Sequence, residues 1–105
     1  MQRTCLRFYV TERQKHDGKL VYEWLLEEAK ALHVPGGTAL RAIAGFGRHG
    51  VLHEETFFEL AGDLPVEIEF VVDDAQAEAL MALLRAANLS LYYVRMTVEA
   101  GVVGQ

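Results

Sequence analysis

The sequence predicts one small α+β domain with its elements in the order β-α-β-β-α-β, and three observations predict it. Residues 4–10 (TCLRFYV) and 65–72 (PVEIEFVV) alternate apolar and polar side chains with the period of a half-buried strand. The stretches after Gly18 and after Asp73 repeat apolar residues at helical spacing. Glycine, proline and polar clusters punctuate the chain between these segments.

In chain order, the first strand places Leu6, Phe8 and Val10 on one face and Cys5, Arg7 and Tyr9 on the other. Residues 11–18 (TERQKHDG) are polar and read as a loop, after which Val21, Trp24, Leu25, Ala29 and Leu32 form the stripe of a first helix. That helix stops near His33, because Pro35 disfavours the α conformation before it and Gly36-Gly37 breaks the pattern. Residues 38–46 (TALRAIAGF) read as a second strand, weakened by Ala42 and Ala44. The third strand, 65–72, turns Val66, Ile68, Phe70 and Val72 inward and Glu67 and Glu69 outward. Asp73 with Gln76 three residues later is a capping box, Ala77, Leu80, Leu84 and Ala87 form the stripe of a second helix, and Asn88 ends it. A last strand, residues 91–98 (LYYVRMTV), sets Tyr92, Val94, Met96 and Val98 on one face, and residues 100–105 read as a frayed tail of a single domain spanning 1–105. This order is that of the ferredoxin-like split βαβ fold, a four-stranded antiparallel sheet with two helices on one face.

With 51% hydrophobic and 24% charged residues the composition is globular. The formal charge of −5 argues against a nucleic-acid partner, which needs a basic face. The single cysteine, Cys5, can build neither an internal disulfide nor a thiolate metal cluster, and it reads as a small strand residue. The N-terminus turns polar too soon for a signal peptide, and no run approaches the ~20 apolar residues of a membrane span. These features suit a cytoplasmic protein without membrane insertion.

Local chemistry exceeds the needs of packing at residues 40–53 (LRAIAGFGRHGVLH). Gly45, Gly47 and Gly50 leave backbone N–H groups open to a negatively charged ligand, with Arg48 and His49 beside them. With right-handed crossovers the first two strands end at the same edge of the sheet. That edge collects the glycine turn, Lys15 and His16 of the polar loop, and the positive end of the first helix's dipole. The candidate ligand-binding residues are therefore Gly45, Gly47, Arg48, His49, Lys15 and His16. His49 and His53 with Glu54 and Glu55 are the one metal-like grouping, and solvated polar residues explain it better than a metal site. No acid, base and nucleophile group together, so no catalytic residues are assigned and a regulatory or binding role is favoured over an enzyme.

On the strand face turned from the helices the alternation places Arg7, Tyr9, Arg41, Ile43, Glu67, Glu69, Tyr93 and Arg95. Arginine and carboxylate pairs with tyrosines on such a face suit a subunit interface, and Arg7 is expected beside Glu67 or Glu69.

Residues 44–50 (AGFGRHG), followed by 64–73 (LPVEIEFVVD), resemble the PII signal-transduction proteins, and the match is closer to a PII-like family, domain of unknown function 190. For that family residues 6–98 fit throughout, with HDGKLVYEWL, LRAIAGFG and DLPVEIEFV as the matching segments. The resemblance implies a ferredoxin-like fold, a homotrimer, an adenine nucleotide or other small anionic ligand held between subunits beside the GFG turn, and a protein partner such as a transporter. It also admits an alternative, a metal- or anion-binding trimer like the copper-tolerance relatives of PII. Two departures stand out: no tyrosine lies between Gly47 and Pro65, and Asn88-Leu89-Ser90 replaces the glycine-rich, lysine-containing loop with which PII proteins hold nucleotide phosphates.

Overall fold

The computed structural model describes residues 1–45 and 64–104. The elements are β1 (Gln2–Thr11), β2 (Lys15–His16), β3 (Lys19–Leu20), α1 (Val21–Ala31), β4 (Gly37–Arg41), β5 (Pro65–Val72), α2 (Asp74–Ala86) and β6 (Tyr92–Glu99). Four strands form one antiparallel sheet in the order β4-β5-β1-β6, and β2 and β3 form a separate two-stranded ribbon. The sheet and helices are the ferredoxin-like arrangement that the periodicity predicts.

One apolar layer joins sheet and helices. Leu6, Phe8 and Val10 of β1 and Val66, Ile68, Phe70 and Val72 of β5 meet Val21, Leu25 and Ala29 of α1 and Ala77, Leu80 and Leu84 of α2. Tyr22, Trp24 and Leu26 are partly buried against this core, so the extra aromatic bulk of α1 is packing. Phe8 and Phe70 meet edge to face, 6.4 Å between centroids, the arrangement their ring quadrupoles favour.

The helix ends follow local chemistry. At α2 the capping box is complete: the Gln76 amide donates to Asp73 Oδ1 at 2.7 Å, and the Asp73 amide donates to Gln76 Oε1 at 3.1 Å. Both helices end in the same motif, with a non-glycine residue in the left-handed region, His33 at φ 63° and Asn88 at φ 57°. The His33 and Val34 amides donate to the Lys30 and Ala29 carbonyls, and the Asn88 and Leu89 amides to those of Arg85 and Leu84. Two main-chain carbonyls in each last turn thereby gain partners before the chain leaves for the next strand.

Three expectations are corrected. The second strand stops at Arg41, and the described residues after it, 42–45, lie outside the strand. Ala42 keeps one bond, donating to the Pro65 carbonyl at 2.9 Å, and then the ladder is lost where small residues offer no cross-strand packing. The polar stretch before α1 is a tight hairpin: Asp17 and Gly18 have φ of 51° and 80°, the two consecutive positive values of a type I′ turn.

The third correction concerns the faces. Cross-strand partners share a face, and Arg41 opposes buried Val66 while Tyr93 and Arg95 oppose Phe8 and Leu6. Arg41, Tyr93 and Arg95 therefore lie on the helix side, and Ile43 lies beyond the end of β4. The open face carries Cys5, Arg7 and Tyr9, Glu67, Glu69 and Val71, Leu40, and Tyr92, Val94, Met96 and Val98. The physical reason is ionic as well as apolar: on the helix side Arg95 donates to Glu78 at 2.6 Å and lies 3.6 Å from Asp74, both on α2.

Candidate functional site

The chain gathers several connections at the sheet end where β1 and β4 stop and β5 and β6 begin. The Glu12 amide donates to the Leu64 carbonyl at 2.9 Å, the Val21 amide to the Gln14 carbonyl at 2.9 Å, and Arg41 Nε to Glu12 Oε2 at 2.5 Å. These bonds hold the hairpin, the start of α1 and the end of β4 against one another. The start of α1 has no side-chain cap at Leu20, and the Gln14 carbonyl takes one of its free amides instead.

Of the sequence-predicted residues, the structure places Lys15, His16 and Gly45 at this end. Lys15 is exposed on β2. His16 is half-buried, packing edge-on against Trp24 at 4.8 Å between rings, with Nε2 3.4 Å from Asp17 Oδ2. Its ring is thus engaged in fixing the hairpin on α1. The other cation of the hairpin, Lys19, donates to Glu27 at 2.6 Å. A Cβ on Gly45 would stand 3.4 Å from the Pro65 ring, so the chain runs close to the start of β5 there. Gly47, Arg48 and His49, with His53, Glu54 and Glu55, lie outside the described residues. Among the described residues no three His, Cys, Asp or Glu side chains are grouped to hold a metal.

Sequence reasoning missed a cleft at the same end of the sheet. It lies between the last turns of α2 and the start of β6, has a volume of about 660 Å³, and is lined by Phe8, Met81, Leu84, Arg85, Leu89, Ser90, Leu91, Tyr92 and Tyr93. Its signal was present in the helical spacing of Met81 and Arg85, but only with Tyr93 turned to the helix side does a slot form.

On the open face Arg7 binds Glu69 through Nε and Nη2, at 3.1 and 2.8 Å, as the outward phase of β1 and β5 predicted. Burial, and secondarily the Glu69 carboxylate, push the Cys5 thiol up, against a weaker opposing effect of Arg7. A thiol held protonated is a poor nucleophile.

The comparisons agree with this architecture. Residues 3–100 match the model of the DUF190 family, described as Uncharacterized ACR, COG1993. The chain belongs to this family. A UPF0166 protein of Aquifex aeolicus (strain VF5) is 29% identical over 91 residues, covering 87% of each chain. A UPF0166 protein of Methanocaldococcus jannaschii is 36% identical over 66 residues, covering 63% of this chain and 60% of that one. Among solved structures, a nitrogen regulatory PII-like protein from Thiomonas intermedia K12, bound to ADP, AMP and bicarbonate, superposes with a TM-score of 0.63 at 16% identity, covering 97% of this chain and 96% of that one. At that identity the likeness establishes the fold.

Proposed function

We propose that this chain is a PII-like regulator, assembled as a homotrimer, that takes a small anionic ligand of the adenine-nucleotide class at the hairpin and glycine-turn end of the sheet and acts on a protein partner. The observation that carries the reading is the convergence there of the Lys15–His16 ribbon, the start of α1 and Gly45, with the cleft beside β6 at the same end of the sheet. The ligands of the Thiomonas protein of the same fold support the ligand class. Gly47 and Arg48 are the proposed additional contacts, through main-chain N–H groups and a planar donor fork.

Assembly is supported by the composition of the open sheet face. Tyr92, Val71, Met96 and Leu40 on it are between 37% and 52% exposed in the single chain, around the Arg7–Glu69 pair, and exposed apolar residues beside a paired charge on so small a domain suit a subunit contact. Titration calorimetry with ATP, ADP, AMP and divalent metals, alongside a solution mass, tests the proposal. A trimer mass with nucleotide binding that Arg48→Ala weakens supports it. Metal binding without nucleotide binding would transfer the reading to a metal-binding trimer, and a monomer at micromolar concentration would remove the assembly.

A further inference from the structure

We infer that the segment after β6 of one copy docks on the next copy in the assembly, with Val102 and Val103 filling an apolar pocket between α1 and β4 and Glu99 facing Lys30. The inference rests on the assembled state proposed above. It adds a contact between unlike surfaces of neighbouring chains, at the sheet end opposite the hairpin.

The occupant comes from the end of β6. The strand stops at Glu99, and the Ala100 amide donates to the Met1 carbonyl at 3.1 Å, which fixes where the following residues leave the sheet. Val102 and Val103 are then exposed, with no cover from the described residues of their own chain. The pocket lies at the other edge of the sheet. The last turns of α1 and the start of β4 enclose about 320 Å³ lined by Leu26, Ala29, Val34, Pro35 and Phe70, and Lys30 is the one polar side chain of the lining. That volume is at the low end of the roughly 300–1,000 Å³ of small-molecule sites. With so few polar groups the pocket suits aliphatic side chains, whose burial removes apolar surface from water on both partners.

The direction of the strands brings occupant and pocket together. β4 and β6 are the two edges of the sheet, each paired on one side only. Every pairing within the sheet is antiparallel, so β4 and β6 run in opposite directions, and a second copy set edge to edge continues the pattern. The end of β6 then lies beside the start of the neighbouring β4, where Gly36 and Gly37 form the mouth of the pocket. Extended chain advances about 3.3–3.6 Å per residue, so Val102 reaches roughly 10 Å beyond Glu99, toward the last turn of α1. A head-to-tail contact of this kind closes into a ring when its rotation allows, and it covers two open strand edges.

Charge complements the apolar fit. Lys30 and Glu99 are exposed, and neither side chain has a hydrogen bond or ion pair among the described residues. Lys30 in the last turn of α1 also interacts favourably with the dipole of its own helix, so a single reversal there disturbs the helix as well as the contact. Recovery by the reciprocal swap reads the contact alone.

The test measures assembly by sedimentation over a concentration series. It compares the wild type with Lys30→Glu, Glu99→Lys, the two reversals combined, Val102→Ser with Val103→Ser, and Gly36→Leu, with circular dichroism reporting the fold of each. A Cβ on Gly36 would meet nothing within 4 Å, so leucine there occupies the pocket mouth without crowding its own chain. Each charge reversal is expected to weaken assembly about three- to tenfold, and the combined swap to recover most of the loss. The valine pair and Gly36→Leu are each expected to weaken assembly at least tenfold. Wild-type affinity in the folded valine and Gly36→Leu variants, or reversals that the swap does not recover, overturns the inference and leaves the proposed assembly standing. A wild type that is monomeric at micromolar concentration overturns both.

Discussion

Gly37 shows how closely a single residue can be constrained by its neighbours. A Cβ there would stand 2.6 Å from Cε1 of Phe70 and 3.0 Å from Leu26. Phe70 is only 1% exposed and packs on Phe8, so an added methyl has to displace a core ring. Gly37→Ala is therefore expected to destabilise by about 1–3 kcal/mol, the cost of overpacking a filled core. Gly36→Ala, whose Cβ would meet nothing within 4 Å, is the matched control and is expected to change little. Urea unfolding of both variants checks the difference. At the same scale, the Arg7–Glu69 pair was legible in the sequence because opposed strand residues share a face. Its side chains are about one-third exposed, so it contributes on the order of 1 kcal/mol or less in the single chain.

At the scale of elements, the caps decide where helices begin and end. Asp73→Ala removes the acceptor for the Gln76 amide and half of the reciprocal pair, and it is expected to cost about 1 kcal/mol, read as a lower thermal midpoint. This cap was readable from Asp73 and Gln76 alone because a capping box is a local pattern. The β2–β3 ribbon was equally local: Asp17-Gly18 is a strong hairpin signal, passed over because the flanking residues are polar and two-residue strands have no periodicity to display. The length of β4 was not local in this sense. Residues 42–45 show strand-like apolar character, and their failure to extend the ladder past the Ala42 bond reflects a lack of cross-strand partners.

For the whole molecule, the decisive feature is a sheet with apolar residues on both faces. Covering the open face contributes roughly 25 cal/mol per Å² of apolar surface, set against the cost of association. Met96 is 37% exposed at the centre of β6, opposite Cys5 on the open face. Met96→Lys is expected to weaken assembly at least tenfold while leaving the circular dichroism of the chain unchanged. Arg41→Glu is expected to leave assembly intact, because Arg41 lies on the helix side beside Glu12. Sedimentation analysis of the two variants separates these outcomes, and a Met96→Lys chain that assembles normally would place the subunit contact elsewhere.

The sequence by itself determined the order of the elements, the inward phase of β1 and β5, the caps of α2 and the stop of α1. Each of these rests on neighbours a few residues apart or on a central strand whose two faces differ plainly. Only the tertiary structure decided which face of β6 turns inward. Alternation has a period of two and distinguishes two faces without saying which is buried, and on an edge strand partly covered by one helix the apolar set need not be the inner one. Register with β1 and the ion pairs of Arg95 with Glu78 and Asp74 turned Tyr93 toward α2. That orientation put Arg95 on the helix side, set Tyr92, Val94, Met96 and Val98 on the open face, and formed the cleft beside Arg85.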